Sequence, residues 1–259
     1  MDYNYSSNKP LLVIVGETTS GKTNLAHQLA IKFHGEIINA DSTLLRKELS
    51  IGTDKPSKSL MEQVNYHMIN LISLKDDFNV AQYKKLVDKK INDIHSRNKL
   101  PIIVGGSGLY INSVIYNYDF PNHNYQNKGV IGHIDTNNIL RENTLLIGIR
   151  ISREELSSNI KARVDLMLNS GLEQEVKNLI SQGFALEKIN IIGYKEWKEF
   201  FNNQINLEEV KKNIIKHTKE LAKKQRTWFS NKNNNDIFWV DYRYNLDEIV
   251  ELITTNLKI

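Results

Sequence analysis

The chain of 259 residues has no cysteine. Disulfides, thiolate metal sites and cysteine nucleophiles are thereby excluded together, and an intracellular setting accords with the absence. Proline is scarce, at four residues, whereas Asn, Lys and Ile abound. That bias reads as the mark of an AT-rich genome and points to no function. No apolar run approaches the roughly 20 residues that a membrane span requires, so no membrane partner is expected. The first ten residues, MDYNYSSNKP, hold neither an apolar h-region nor an Arg-rich amphipathic pattern. They do not read as a targeting signal, and a cytoplasmic protein is expected. Neither sign of charge is missing: 34 Lys and Arg face 30 Asp and Glu, leaving +4. This mild excess is compatible with an anionic partner without demanding one. The remainder is ordinary for a soluble globular chain, with 40% apolar and 25% charged residues. The length suits one large domain, or one domain with a sizeable appendage.

Residues 11 to 15, LLVIV, form a short continuous apolar run rich in branched residues, as in a strand buried on both faces of a parallel sheet. Leu25, Ala26, Leu29, Ala30 and Phe33 then recur at helical spacing up to a stop at Gly35. EIIN, 36 to 39, is a second strand and completes a βαβ unit. Asn79 can cap a helix whose face carries Val80, Tyr83, Val87, Ile91 and Ile94. Pro101 opens a strand IIV that ends in GGSG, and LLIGIRI covers 145 to 151. Ser152 and Glu155 form a capping-box signature for the next helix. Residues 110 to 143 are Asn-rich and weakly periodic, a loop or small insertion. The rest is mainly helical, with one possible late strand at 237 to 240. The pattern predicts an α/β fold: a P-loop-type parallel sheet flanked by helices, with a helical C-terminal part and a reduced insertion. The expected divisions are a flexible N-terminus at 1–10, the first part of the core at 11–109, a shortened insertion at 110–144, and the last core strand with the helical part at 145–259.

Between the first strand and its helix lies GETTSGKT, residues 16 to 23. Gly16, Gly21, Lys22 and Thr23 fit G-x-x-x-x-G-K-[ST] in full, in the strand–loop–helix context that this motif requires. Its glycines let backbone N–H groups curl around an anion, and the helix N-terminus adds the positive end of its dipole. Lys22 supplies a point charge, and the Thr23 hydroxyl can ligate Mg²⁺. The loop alone specifies a diphosphate or triphosphate. In a parallel sheet, ligands gather at the carboxyl ends of the strands. GETTSGKT, NADS and GGSG all end there, which aims Asp41 at the crevice of Lys22. Asp41 suits a general base, a metal ligand or a cap for the following segment. Ser107, in GGSG, suits a hydrogen-bonding group or a simple turn residue.

Six strings occur in order: GETTSGKTNLA, EIINADS, IGTDKP, GGSGLY, IGYKE and AKKQRTWF. Together they resemble the tRNA dimethylallyltransferase, or isopentenyl-tRNA transferase, family, over residues 11–111 and 145–230. The resemblance implies that the loop, Gly16, Glu17, Thr18, Thr19, Ser20, Gly21, Lys22 and Thr23, holds the diphosphate of dimethylallyl diphosphate with Mg²⁺ on Thr23. The implied acceptor is N6 of the adenosine 3′ to the anticodon, flipped out of its stack in the tRNA anticodon stem-loop. Asp41 would accept the amine proton, Ser107 would keep the hydroxyl that the family carries as threonine, and Lys22 would meet charge on the leaving diphosphate. Ser42, Thr43 and Leu44 follow Asp41 on the side of the flipped base. Lys55 stands where the family keeps a lysine, as a phosphate or backbone contact or simply a solvated side chain. Lys219 and Lys224 stand where the family usually has arginine near the diphosphate; lysine keeps the charge and loses the planar fork.

One helix accounts for nearly every residue from Val210 to Phe229. Val210, Ile214, Thr218, Leu221, Gln225 and Trp228 share one side at 3.6-residue spacing, and Lys212, Lys216, Lys219, Lys223 and Arg226 share the other. Like charges at such steps repel, and the row is either a solvated face or a contact for RNA phosphates. Two features depart from the family pattern: Thr43-Leu44-Leu45-Arg46 after the aspartate, and an insertion after GGSGLY that is too short for the usual RNA grip. A prenyltransferase acting on free AMP or ADP, a degraded paralogue that only binds RNA or nucleotide, and a small-molecule kinase are the competing readings. A monomer is expected.

Overall fold

The computed structural model describes residues 5–120, 139–231 and 236–259. Six strands form one sheet: β1 (Leu11–Gly16), β2 (Glu36–Asn39), β3 (Tyr66–His67), β4 (Pro101–Gly105), β5 (Thr144–Arg150) and β6 (Ile237–Asp241). Their order is β3-β2-β4-β1-β5-β6, and every adjacent pair is parallel. The helices are α1 (Tyr5–Asn8), α2 (Lys22–Lys32), α3 (Lys58–Gln63), α4 (Val80–Ser96), α5 (Gly108–Ile115), α6 (Arg153–Asn169), α7 (Leu172–Ser181), α8 (Lys198–Phe201), α9 (Leu207–Phe229) and α10 (Leu246–Leu257).

The period of two along β1 decides which helix packs where. Val13 and Val15 point into a core with Tyr83, Val87, Ile91 and Ile94 of α4, Ile111 and Val114 of α5, and Phe229 of α9. Leu12 and Ile14 point into the opposite core with Leu25, Leu29 and Phe33, and with Ile249 and Ile253 of α10. Both faces are therefore covered, which is why β1 is apolar throughout. A third cluster joins Val164 and Met167 of α6, Val176 and Leu179 of α7, Tyr194, Trp197, and Val210 and Ile214 of α9 to Leu49. Through Leu49 this helical group meets the segment that follows β2, on the carboxyl side of the sheet.

Asn79 caps α4 as expected, in a full capping box with Gln82. Ser152 accepts from Glu155 N–H at 3.2 Å, but its own hydroxyl donates to the Glu155 carboxylate. The late strand β6 pairs with β5 at the sheet edge. Three expectations need correction. Residues 5–8 are not a loose tail: Tyr5 is buried, its hydroxyl donates to Phe33 O at 2.9 Å, and its N–H reaches Asn98. The stretch from 110 is not all insertion, because α5 runs to Ile115 and Tyr116 and Tyr118 are buried against it. Residues 121–138 lie outside the described residues. On α9 the inward residues are Val210, Ile214, Thr218, Ala222, Gln225 and Phe229, whereas Leu221 and Trp228 are exposed. The inward stripe advances by four residues at each of its first three steps, which carries it to Ala222 and Phe229 where a strict 3.6 spacing passes on to their neighbours.

Candidate active site

The phosphate loop spans the turn from β1 to α2. Thr19 (φ 61°) and Gly21 (φ 89°) take left-handed backbone conformations that curl the chain. Gly21 caps α2 without any side-chain bond, and the first turn of α2 has no acidic residue. Its N-terminal N–H groups therefore face the crevice with the dipole unopposed. The Thr19 and Ser20 hydroxyl oxygens are buried without a partner among the described residues, a donor set suited to an anion. The Lys22 ammonium donates to Glu17 O at 3.0 Å. Burial pulls it down to about 8, with Arg163 adding to the fall while Asp41, Asp54 and Glu17 oppose it.

Asp41 lies across the crevice at the end of β2. Its Oδ1 accepts Thr43 N–H at 3.0 Å and the Thr43 hydroxyl at 2.8 Å. The carboxylate is thus fixed in a turn of its own making, and Oδ2 has no bond from the described residues. Oδ1 takes up the turn-capping role, which leaves Oδ2 for a further contact. Asn39 steadies the same corner by bonding Asp41 N–H, Asp41 O and Met68 O. The GGSG turn comes close behind: a side chain on Gly105 would meet Ala40 O at 2.2 Å, so only glycine fits. Ser107 accepts Ser42 N–H at 3.3 Å, and its own proton has no acceptor among the described residues.

Two cavities meet here. The larger, about 830 Å³, takes in Thr18, Thr19, Lys22, Thr23, Leu44 and Lys55. The smaller, about 440 Å³, takes in Ser42, Thr43, Arg46, Tyr110 and Leu221. Thr18, Asp41, Thr53 and Arg163 line both. The structure therefore brings Thr18, Thr19, Gly21, Lys22 and Thr23 together with Asp41 to Leu44 around the two joined cavities, whereas Gly16 and Glu17 border a separate cavity and Ser107 lines neither, reaching the site through its bond with Ser42. Lys55 reaches the larger cavity, but its ammonium is held by Arg46 O and by Asn70 Oδ1 at 2.6 Å. Burial draws it down to about 8.

Lys212, Lys216, Lys219, Lys223 and Lys224 are all exposed on α9 and line neither cavity. The turn of the helix that sends Thr218, Ala222 and Gln225 inward sends Lys219 and Lys224 outward, away from the loop. Arg226 does not belong to the lysine row as expected, because its guanidinium pairs with the Glu17 carboxylate in the phosphate loop. Sequence reasoning missed Arg163 and Gln225. Arg163 donates to the Thr18 hydroxyl at 2.7 Å from the middle of α6, and Gln225 accepts Thr18 N–H at 2.7 Å. Arg163 stands in no motif, and Gln225 stands in the AKKQRTWF string without any sign of its partner there; only the packing of α6 and α9 brings them to the loop. The IGYKE string also finds its purpose. Glu175 accepts the N–H groups of Ser50, Ile51 and Gly52, and the Tyr194 hydroxyl binds both Glu175 and Gly52 N–H, which fixes the loop carrying Thr53.

A parallel sheet with a phosphate-loop turn facing a fixed carboxylate, at the junction of two cavities, defines a P-loop-type protein with a two-chambered site. The IPP transferase family model matches residues 45–138 and 124–232. A tRNA dimethylallyltransferase of Staphylococcus aureus (strain MRSA252) is 35% identical over 312 aligned positions, covering 98% of this chain and all of the relative. A crystal structure of a tRNA delta(2)-isopentenylpyrophosphate transferase from Staphylococcus epidermidis superposes with TM-score 0.81 at 32% identity, over 96% of this chain and 99% of the other. That of a tRNA isopentenylpyrophosphate transferase from Bacillus halodurans gives 0.84 at 29% identity, over 96% and 97%. The chain belongs to the IPP transferase family, that of the tRNA dimethylallyltransferases. Since 312 aligned positions exceed 259 residues, at least 53 of those positions have no counterpart in this chain. Among the described residues no helix is long and apolar enough to cross a membrane.

Proposed function

We propose that the protein transfers the dimethylallyl group from dimethylallyl diphosphate to N6 of the adenosine 3′-adjacent to the tRNA anticodon. The observation that carries this is the meeting of two cavities at Asp41 and Arg163, with Thr19, Gly21, Lys22 and Thr23 of the phosphate loop in the larger one only. The donor enters the larger cavity, diphosphate toward the Lys22 ammonium and the N–H groups opening α2. The flipped adenine enters the smaller one. An exocyclic adenine amine is a weak nucleophile, because its lone pair is delocalised into the ring. N6 attacks C1 of the dimethylallyl group, the C1–O bond breaks, and diphosphate leaves with the bonding pair. The amine proton passes to Asp41 Oδ2. Lys22, Arg163 and the loop N–H groups meet the charge that gathers on the leaving group. Ser107 has a free proton to orient the acceptor.

Mg²⁺ is part of this reading. No group of three or more His, Cys, Asp or Glu suited to a metal occurs among the described residues. An ion that keeps its waters and binds through substrate phosphates needs no such group, and the exposed Thr23 hydroxyl beside the loop suits it. When bound with the diphosphate, it supplies further neutralisation of that charge. The protein acts as a cytoplasmic monomer on this reading, with the lysines of α9 toward RNA phosphates.

Labelled dimethylallyl diphosphate with Mg²⁺ and unmodified tRNA reading U-starting codons will yield labelled tRNA. Failure under conditions where a full-length relative works would sink the proposal. The 53 or more unmatched positions give a specific reason to run free AMP and ADP alongside, and the two family-model segments meet at 124–138, where the shortened insertion is expected. Label in the mononucleotide alone would transfer the reading to a free-nucleotide prenyltransferase.

A further inference from the structure

Consecutive residues of α9 hold consecutive residues of the phosphate loop. Gln225 Oε1 accepts Thr18 N–H at 2.7 Å, and the Arg226 guanidinium pairs with the Glu17 carboxylate through Nε and through Nη2 at 3.0 Å. Gln225 also donates to Gly106 O at 3.3 Å, so one buried amide ties the phosphate loop to the GGSG turn. A side chain on Gly106 would meet that amide at 2.1 Å, which shows how closely the turn is drawn in. Glu17 is only 6% exposed. A buried carboxylate within an anion-binding loop opposes its ligand unless a cation offsets it. The carbonyl of this same Glu17 holds the Lys22 ammonium, so whatever fixes Glu17 also fixes the lysine that faces the diphosphate.

We propose that Gln225 and Arg226 form a two-residue clamp that shapes the phosphate loop for diphosphate. Neither lines the two cavities at Asp41. Arg226 and Glu17 instead border a separate cavity of about 260 Å³ behind the loop, with Arg150, Phe229 and Trp239. They are positioning residues that act through the loop. The helix that offers its outer face to RNA thereby sets donor affinity from its inner face. The clamp rests on the diphosphate reading of the loop given above.

The test is calorimetric titration of the full chain with inorganic diphosphate and Mg²⁺, with melting temperatures recorded in parallel. Gln225→Met keeps the volume and removes both hydrogen bonds; its diphosphate affinity falls about tenfold. Arg226→Gln leaves the buried carboxylate uncompensated and loses at least as much. Adding Glu17→Gln to Arg226→Gln restores affinity to within about threefold of wild type, because the opposing charge is gone. A merely structural role would lower the melting temperatures without this pattern of loss and recovery. Wild-type affinity in Gln225→Met and Arg226→Gln, or a double variant no tighter than Arg226→Gln, overturns the clamp. If Gln225→Met does not fold, the Glu17–Arg226 cycle decides alone. Failure of the wild-type chain to bind diphosphate removes the loop reading itself.

Discussion

On the proposed reading Asp41 divides two jobs between its two oxygens. Oδ1 is spent on Thr43, so Asp41→Asn retains the turn through its carbonyl while losing the proton acceptor. Single-turnover transfer will fall by about 10²–10⁴, the usual span for a general base, while diphosphate and RNA binding stay within about twofold. Equal loss of RNA binding would make Asp41 structural. Lys22 gives a pH signature. Its folded value, about 8, lies below the ordinary 10.5, so between those values the unfolded chain holds more protons. Lys22 therefore adds stability as pH rises through that window, the reverse of a lysine that gains a partner. Diphosphate favours the ammonium, so donor affinity will decline as pH climbs above about 8. Titrations from pH 7 to 9.5 check this, and Lys22→Met flattens the decline.

On α9 each face has its own measurable consequence. Lys212, Lys216 and Lys223 are exposed and make no ion pair among the described residues. If they meet phosphates, replacing all three by alanine will weaken tRNA binding and make the slope of log K against log salt shallower by about two to three. An unchanged slope would mark a solvated face. The loop at 50–53 depends on another element. Glu175 of α7 accepts three backbone N–H groups there, and Glu175→Ala strands them. A loss of about 2–3 kcal/mol in urea-unfolding stability is expected, with weaker transfer as Thr53 and Arg163 lose their frame.

Across the whole molecule, the sheet has a chemical end and a structural end. At the structural end Glu36 is buried at the start of β2. Burial would push its carboxyl up, but hydrogen bonds from Arg97, Lys99, His67 and Asn65 outweigh it and hold it well below the usual range. A depressed carboxylate contributes stability that is present above its unfolded value and lost as pH falls toward the folded one. Acid unfolding will therefore begin below about pH 4.5. Arg97 and Lys99 are more than a third exposed, so solvent discounts the pairs. Glu36→Gln will cost about 2 kcal/mol at pH 7 and progressively less in acid. Chemical denaturation at pH 7 and pH 3.5 compares the two.

Five of the six strands, the phosphate loop and the corner at Asp41 were legible because each is written locally, whereas the two-residue β3 and the order of strands in the sheet were not. A run of branched apolar residues, a glycine spacing and a strand-end aspartate carry their meaning within a few positions. The same was true of the caps, since Asn79 and Gln82 lie three residues apart. What lies across 145 to 209 residues was not legible. Arg163 reaches Thr18, and Gln225 and Arg226 reach the loop, only because the cluster around Trp197 sets α6 and α9 over the carboxyl end of the sheet. Periodicity placed Arg226 in a row of cations, and packing gave it to a buried carboxylate instead. The sequence by itself determined which groups could meet an anion; tertiary structure decided which of them do, because a side chain's partner depends on how whole helices are seated.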